Sequence, residues 1–216
     1  MKSNLLYTVR FDVHPAVGDE YGLWTASALA RASQAGGVRE LRVFQTAAGN
    51  PMVNLTFLFD NSEAWSQWTF HPEVQKVFEE LARFSLDLKL ELWEPSPMLP
   101  QPLYRAGGSA ENPVVRYLLR WDLHRETMED YWVQAESIWT RALQVQGACG
   151  LAAFRALAGS PRVMAWFDFP DLAAWAGWYA NPLIHDELTV ANSRFVVGSR
   201  SELWIPSPRV GSPIRM

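Results

Sequence analysis

The residues best suited to proton transfer in this sequence are its 4 histidines. His71 and His185 each stand in a stretch with helical character, where an imidazole can act as a general acid–base or ligate a haem iron. His14 and His124 each end a strand-like segment, two residues after an aspartate on the same face, as a proton-transfer pair would. For His14 and His124 the charged surroundings favour ion pairs within the fold over catalysis.

Aromatic residues recur at spacings that direct them into the space between a sheet and its helices. Two roles are open for these residues. They can fill the core, as large aromatic side chains usually do, or form the walls of a mostly apolar ligand pocket. Core filling is favoured for most of them, with Trp68 and Trp178 as exceptions because both stand near a helix break and a polar residue. The candidate pocket residues are Phe11, Phe57, Trp65, Trp121, Phe167, Trp175 and Asn181.

The composition excludes several classes of protein. The net charge is −4 and no block of like charge is present, so nucleic acid and anionic membranes are not expected partners. The single Cys149 excludes an internal disulfide framework and a cysteine-based zinc site, and no other metal-ligand cluster is predicted. No apolar run approaches the ~20 residues that span a bilayer, and the amino terminus lacks a signal-peptide pattern. We therefore expect a cytoplasmic protein.

The elements that must position these residues are written twice. The segment ELWEPSP at 91–97 returns as ELWIPSP at 202–208, and adding 110 to the residue number matches most of the two halves. One inserted residue makes the offset 111 from Arg194 onward. The repeat predicts a first module at 1–98, a Pro/Gly-rich linker at 99–113 and a second module at 114–216.

Each module reads as strand–helix–strand–strand–helix–strand, which is the ferredoxin-like order. In the first module the predicted elements are a strand at 5–14, a helix at 19–34, strands at 38–46 and 52–59, a helical region broken at Pro72, and a strand at 84–93. The leucines of the last strand are predicted to face the helices. Mixed polar faces on the two sheets can pair and remove exposed edges. We therefore predict an α+β fold in which two βαββαβ repeats close an intramolecular dimeric α/β barrel.

The stretch FDNSEAWSQWTFHP at 59–72, of which the second copy keeps Phe169, Trp175, Trp178 and Asn181–Pro182, resembles the dimeric α/β-barrel superfamily. That superfamily includes antibiotic-biosynthesis monooxygenases and haem-degrading enzymes. The resemblance implies a pocket for a small hydrophobic or aromatic molecule and a monooxygenase-like oxidoreductase, either cofactor-independent or haem-linked. In cofactor-free relatives, a base deprotonates an electron-rich aromatic in a dry site.

Under this resemblance the candidate catalytic residues are Tyr21, Trp68 and His71 in the first copy and Tyr131, Trp178 and His185 in the second. His185 would be the haem ligand, but no asparagine stands on either first strand, so the haem pattern is incomplete and no cofactor is favoured. Asn181 in place of His71 and Gln75 in place of His185 favour one working copy. A non-catalytic binding or scaffolding protein, a cyclase or isomerase on the same fold, and a homo-oligomer of the duplicated chain stay open.

Overall fold

The computed structural model describes residues 4–105, 115–157, 161–190, 193–208, 210 and 214–215. The first repeat forms β1 (Leu5–Val13), α1 (Gly18–Gln34), β2 (Val38–Thr46), β3 (Met52–Phe59), α2 (Ser62–Thr69), α3 (Pro72–Leu81) and β4 (Ser85–Pro95). After the short strand β5 (Leu103–Tyr104), the second repeat forms β6 (Val115–Leu123), α4 (Met128–Gln144), β7 (Gly150–Ala156), β8 (Arg162–Phe169), α5 (Leu172–Tyr179), α6 (Pro182–His185) and β9 (Val196–Pro206), and β10 (Ile214–Arg215) follows. The predicted α+β fold of two ferredoxin-like repeats is confirmed.

The chain divides into two compact units: unit 1 comprises the described residues of Met1–Trp93 and Ile205–Met216, and unit 2 those of Glu94–Trp204. Within unit 1 the antiparallel strand order is β10-β2-β3-β1-β4, and within unit 2 it is β5-β7-β8-β6-β9. These limits differ from the predicted modules because each repeat's end joins the other unit. Most of the predicted linker, 106–113, and the turn at 158–160 lie outside the described residues.

Two matching serines, Ser96 and Ser207, form the backbone hydrogen bonds by which the end of each repeat joins the other unit. In unit 2 the amide of Ser96 donates to the carbonyl of Ala153, and in unit 1 the amide of Ser207 donates to the carbonyl of Val43, both at 2.9 Å. The two serines occupy the same place in the repeated PSP segment. Each therefore satisfies a backbone carbonyl on a strand of the unit that it joins, which is the pairing that an extended segment offers.

Period-two alternation on β1 produces the buried face of unit 1. Tyr7, Val9 and Phe11 are 7%, 0% and 1% exposed, and they belong to the cluster that includes Trp68 and Phe57. Tyr7 lies opposite Phe57 in the β1–β3 register, so the two rings share one face of the sheet. Burial of these side chains on one face of the sheet is the main stabilisation that the alternating pattern supplies.

The prediction that helices cover the leucines of β4 is wrong for most of that strand. Leu86, Leu88 and Leu90 are 46%, 36% and 48% exposed. The register of β4 on β1 shifts here, and Asp87 lies in the left-handed region with φ 51°. A bulge of this kind bends and twists its strand locally and interrupts the alternation between Leu86 and Leu88. The alternation alone therefore does not predict which of these leucines are covered.

Unit 2 buries an ion pair where unit 1 has two leucines. Arg116 on β6 faces Asp168 on β8, at 5% and 3% exposure, and their counterparts in unit 1, Leu6 and Leu58, face each other in the same register. The guanidinium binds the carboxylate through Nε–Oδ1 at 2.8 Å and Nη2–Oδ2 at 3.1 Å. Its carbon lies 4.1 Å from the centroid of the Trp166 ring. The two-pronged contact offsets the cost of removing both charges from water.

Candidate functional site

A cavity of about 510 Å³ opens in unit 2 between the sheet and the region of α6. Its volume falls in the range of roughly 300–1,000 Å³ that is usual for small-molecule sites. The residues that line it are Tyr117, Leu119, Trp121, Tyr179, Ile184, His185, Leu188, Ser193, Val196, Val197, Gly198, Ser199, Arg200 and Ser201.

Unit 1 contains a much smaller space between its helices and its sheet, bordered by Phe11, Tyr21 and Trp24. It holds only about 20 Å³, which is room for about one water molecule. The Trp24 and Phe84 rings lie 4.9 Å apart there, and the Phe78 ring lies 6.1 Å from Trp68. In unit 2 the place of Trp24 is taken by Gln134, whose amide oxygen accepts a hydrogen bond from Arg194.

The inserted residue of the second repeat falls where the helix next to the cavity changes its geometry. In unit 1, α3 is a regular helix over Pro72–Leu81, whereas α6 ends at His185 and continues as a π-helical turn, Asp186–Val190. A π turn takes up one extra residue without breaking the helix, and such turns are frequent at functional sites. His185 lies directly before this turn and Leu188 lies within it, and both side chains line the cavity.

An ion pair anchors the π turn to α4. Arg141 contacts Glu187 through Nε–Oε1 at 2.6 Å and Nη2–Oε2 at 2.8 Å. The counterpart of Arg141 in unit 1 is Arg31, which binds Glu80 near the end of α3. There the Arg31 guanidinium, assisted by the indole N–H of Trp24, lowers the pKa of Glu80 to about 2. The arginine thus recurs in both repeats while its acidic partner lies earlier along the helix in unit 2.

The sheet wall of the cavity carries hydroxyls where unit 1 has leucines. Ser199 and Ser201 on β9 lie opposite Trp121 and Leu119 of β6. When Trp93 of β4 is aligned with Trp204 of β9, the two serines occupy the places of Leu88 and Leu90. A hydroxymethyl group is smaller than an isobutyl group and can form hydrogen bonds, so the exchange both widens and polarises this wall.

Tyr117 places a third hydroxyl beside these serines. Its side chain is 6% exposed, and this burial is the main reason that the pKa of its phenol is raised. Ser201 has a smaller effect that lowers the pKa, and Tyr179 has a smaller effect that raises it. The rings of Tyr117 and Tyr179 meet edge-on at 5.7 Å between centroids. In unit 1 the counterpart Tyr7 has its pKa raised to about 12 by burial. Tyr117 is therefore a protonated phenol at neutral pH.

His185 supplies the imidazole of the cavity wall. Its side chain is exposed, and its backbone amide is held by the carbonyl of Asn181 at 3.4 Å. The residue in its place in unit 1 is Gln75, whose side-chain amide donates to the carbonyl of Thr69 at the end of α2. The imidazole therefore borders a cavity, whereas its counterpart satisfies a helix end.

Trp68 and Trp178, which were predicted to be catalytic, lie in the two cores. The indole N–H of Trp68 donates to the carbonyl of Ala32 at 2.7 Å, and that of Trp178 donates to the carbonyl of Ala142 at 2.8 Å. They are 1% and 0% exposed, and Trp178 does not line the cavity. Both indoles join the helix before the hairpin to the helix after it. Helix α5 lies so close to the segment that follows α4 that position 147 requires glycine. A Cβ on Gly147 would lie 2.5 Å from the carbonyl oxygen of Ala174.

The two predicted tyrosines are also core residues. Tyr21 borders the small space in unit 1. Tyr131 is 0% exposed and does not line the cavity, and its ring contacts Trp121, which does, at 6.4 Å between centroids. Burial raises the pKa of the Tyr131 phenol well above its ordinary value, so this residue is not poised to exchange a proton near neutral pH.

His71 and Asn181 perform the same task in the two repeats. Each caps the helix that restarts at a proline: His71 Nδ1 accepts from the amide of Glu73 at 3.3 Å, and Asn181 Oδ1 accepts from the amide of Leu183 at 3.0 Å. Neither residue lines the larger cavity. Their difference therefore reflects two solutions to helix capping and does not distinguish a working copy from a structural copy.

The structure distributes the predicted pocket residues over two units. In unit 2, Trp121 lines the cavity, whereas Phe167 packs 4.8 Å from Trp178 in the core and Trp175 stacks on Tyr179 at 5.5 Å. In unit 1, Phe11 and Phe57 border the small space, and the half-buried Trp65 contacts Tyr7 at 6.2 Å.

Sequence reasoning did not single out Tyr179, Leu188, Ser199 and Ser201 as site residues. The signal that could have identified the serines is the exchange of two leucines for two serines between otherwise matching strands, ending at the same Glu-Leu-Trp. Across the part of the chain that the structure describes, no three histidine, cysteine, aspartate or glutamate residues come together as a metal site. Within the same residues, no helix is both long enough and apolar enough to cross a bilayer.

Similarity to known proteins is found at the level of the fold. No protein-family model and no curated protein sequence matches the chain. A solved structure of a provisionally assigned monooxygenase from Fusobacterium nucleatum superposes with a TM-score of 0.71 at 10% identity, covering 99% of this chain and 98% of that one. An anthrone oxidase-like protein superposes with a TM-score of 0.71 at 9% identity, covering 96% and 92%.

A third solved structure is a ferredoxin-fold protein related to antibiotic biosynthesis monooxygenases, from Listeria monocytogenes. It superposes with a TM-score of 0.58 at 10% identity, covering 96% of each chain. Because these matches extend over nearly the full length of this chain, its two repeats together correspond to the whole of each similar structure. The chain has the ferredoxin-like α+β fold of these solved structures, which confirms the predicted resemblance at the level of the fold.

Proposed function

We propose that this protein is a monooxygenase-like oxidoreductase that binds a small aromatic molecule in the cavity of unit 2 and needs no cofactor. The observation that supports the proposal is the cavity of about 510 Å³ in which His185 stands among aromatic, aliphatic and hydroxyl-bearing side chains. The cavity is open to solvent and has both apolar walls, formed by residues such as Trp121 and Ile184, and polar ones, including Arg200. Such walls suit an aromatic ring system that carries polar substituents. The names of the structurally similar proteins suggest oxygen chemistry for such a ligand.

In the proposed reaction His185 accepts a proton from the bound molecule. Trp121, Ile184 and Leu188 surround the ring system, displace water from it and hold it against the imidazole. The anion left by proton removal is electron-rich and reacts with molecular oxygen. For anthrone as a test compound, the CH₂ group loses two hydrogens and gains one oxygen atom. Anthrone and O₂ thus give anthraquinone and water, so atoms and electrons balance without an added reductant.

Haem is the alternative cofactor, and one residue of the cavity wall, His185, suits it. His185 is the residue that would hold the iron, since an imidazole from a helix is a usual axial ligand. Haem, when bound, supplies one-electron and oxygen chemistry. The remaining walls contribute shape and hydroxyl groups, and the proposed proton transfer does not depend on haem.

Replacement of His185 by the residue of the other repeat tests the proposal. Oxygen uptake is measured with anthrone and with electron-rich polycyclic phenols for the wild type and for His185→Gln. Because general-base catalysis contributes about 10²–10⁴-fold, we expect the variant to lose at least about 100-fold in kcat. The matched control is His71→Asn, which installs the cap used by the other repeat and should leave turnover within about twofold.

Three outcomes separate the alternatives. Turnover that survives His185→Gln would refute the assigned base. Saturable binding of the compounds without oxygen uptake would refute the enzyme and indicate a binding protein. A haemin titration that gives a saturable Soret shift in the wild type, lost in His185→Gln, would replace the cofactor-free mechanism by a haem-linked one.

A further inference from the structure

We infer that the hydroxyls of Tyr117, Ser201 and Tyr179 form a polar subsite that selects ligands carrying a hydroxyl or carbonyl oxygen. The inference rests on the proposed ligand site in unit 2 and specifies which part of a ligand binds there. All three side chains line the same cavity. The rings of Tyr117 and Tyr179 lie 5.7 Å apart, and Ser201 lies opposite Leu119, the next residue on the face of β6 that carries Tyr117.

Comparison of the repeats shows that this group of hydroxyls is specific to unit 2. The tyrosine is common to both units, as Tyr7 and Tyr117, and both are at least nine-tenths buried. Around Tyr7, the places of Ser201 and Tyr179 hold Leu90 and Thr69. On β9 the change replaces a hydrocarbon side chain by a hydroxyl, and on α5 it replaces the short threonine side chain by a tyrosine that lines the cavity of unit 2.

The three hydroxyls have hydrogen-bonding capacity beyond their mutual contacts. Each hydroxyl offers one donor and two acceptor positions, and three of them cannot saturate one another. Ser201 and Tyr179 are exposed, the latter to 53%, so their remaining capacity faces the space that a ligand would occupy. A ligand that displaces water from this space without providing an oxygen would leave these groups without hydrogen bonds, at a cost in affinity.

Two probes that differ by one oxygen atom test the subsite. The affinities of 1-naphthol and naphthalene are measured by isothermal titration calorimetry. One additional hydrogen bond corresponds to about a tenfold difference in Kd, so we expect the wild type to prefer 1-naphthol by about tenfold. Tyr117→Phe and Ser201→Ala should each reduce this preference to about twofold while naphthalene binds as before. The matched control is Tyr7→Phe, the same change in unit 1, which should retain the full preference.

Naphthalene binding shows in each variant that the cavity is intact, so loss of preference cannot be mistaken for misfolding. Equal affinity of the wild type for both probes, failure of both to bind, or a preference retained in both variants would overturn the subsite. A tenfold preference that depends on Tyr117 and Ser201, in a protein that consumes no oxygen with any test compound, would support the subsite and refute the proposed oxygenase reaction. The two conclusions therefore fail separately.

Discussion

Trp178→Phe distinguishes a structural tryptophan from a catalytic one. The change removes the indole N–H that lies 2.8 Å from the carbonyl oxygen of Ala142, a residue that is 0% exposed. The Ala142 carbonyl keeps a second donor, the backbone amide of Val145 at 3.3 Å, so loss of the indole bond costs about 0.5–1.5 kcal/mol. The smaller phenyl ring leaves part of the site empty and adds roughly 1 kcal/mol, below the cost of full truncation to alanine. We expect a loss of about 1.5–2.5 kcal/mol in the free energy of unfolding.

For a chain of this length about 1 kcal/mol shifts Tm by roughly 2–4 °C, so the variant should melt roughly 3–10 °C below the wild type. Circular dichroism at 222 nm measures the transition without depending on tryptophan fluorescence. Trp68→Phe, which removes the matching 2.7 Å bond to Ala32, should cost a similar amount. Below the transition, turnover per folded molecule should stay within about twofold. An unchanged Tm together with lost turnover would refute the structural role and restore Trp178 as a catalytic candidate.

Two further predictions concern charge. The folded-state pKa of Glu80 is about 2 against an ordinary value of 4.5, because Arg31 and then Trp24 bind its ionised form. Its stabilising contribution is therefore present above pH 4.5 and lost as the pH falls toward 2. Glu80→Gln should flatten the acid side of a urea-midpoint profile, and an unchanged profile would contradict this assignment. Arg116→Leu should cost about 3–5 kcal/mol because it strands the buried Asp168 carboxylate, whereas adding Asp168→Leu should recover most of that loss in urea unfolding. Equal losses in the single and double variants would show that the charge is not responsible.

The duplication preserves the scaffold and changes one wall of one unit. The tryptophan-to-carbonyl bonds, the glycines that permit close helix approach and the helix caps recur in both repeats. The differences at the cavity are a one-residue insertion taken up as a π turn and the exchange of two leucines for serines. The candidate site thus differs from the matching part of unit 1 by local changes on a repeated fold.

The sequence by itself determined the element order and the duplication. Strand alternation depends on residues near in sequence and the internal offset on comparison of the two halves, and the strands 38–46 and 52–59 have the predicted limits. The insertion was also readable as a change of offset from 110 to 111. His185 could be identified as a candidate because the imidazole has no counterpart in the other repeat.

Only the tertiary structure decided which aromatic residues form a wall and which fill a core. Trp121 and Trp178 are both buried aromatic residues of unit 2. Trp121 borders the cavity, whereas Trp178 donates its indole N–H to the carbonyl of a residue 36 positions away. The alternating leucines of β4 predict a core face, yet Leu86, Leu88 and Leu90 are 46%, 36% and 48% exposed. These outcomes depend on side chains from distant segments meeting in space, and a local pattern carries no information on which partner each side chain will find.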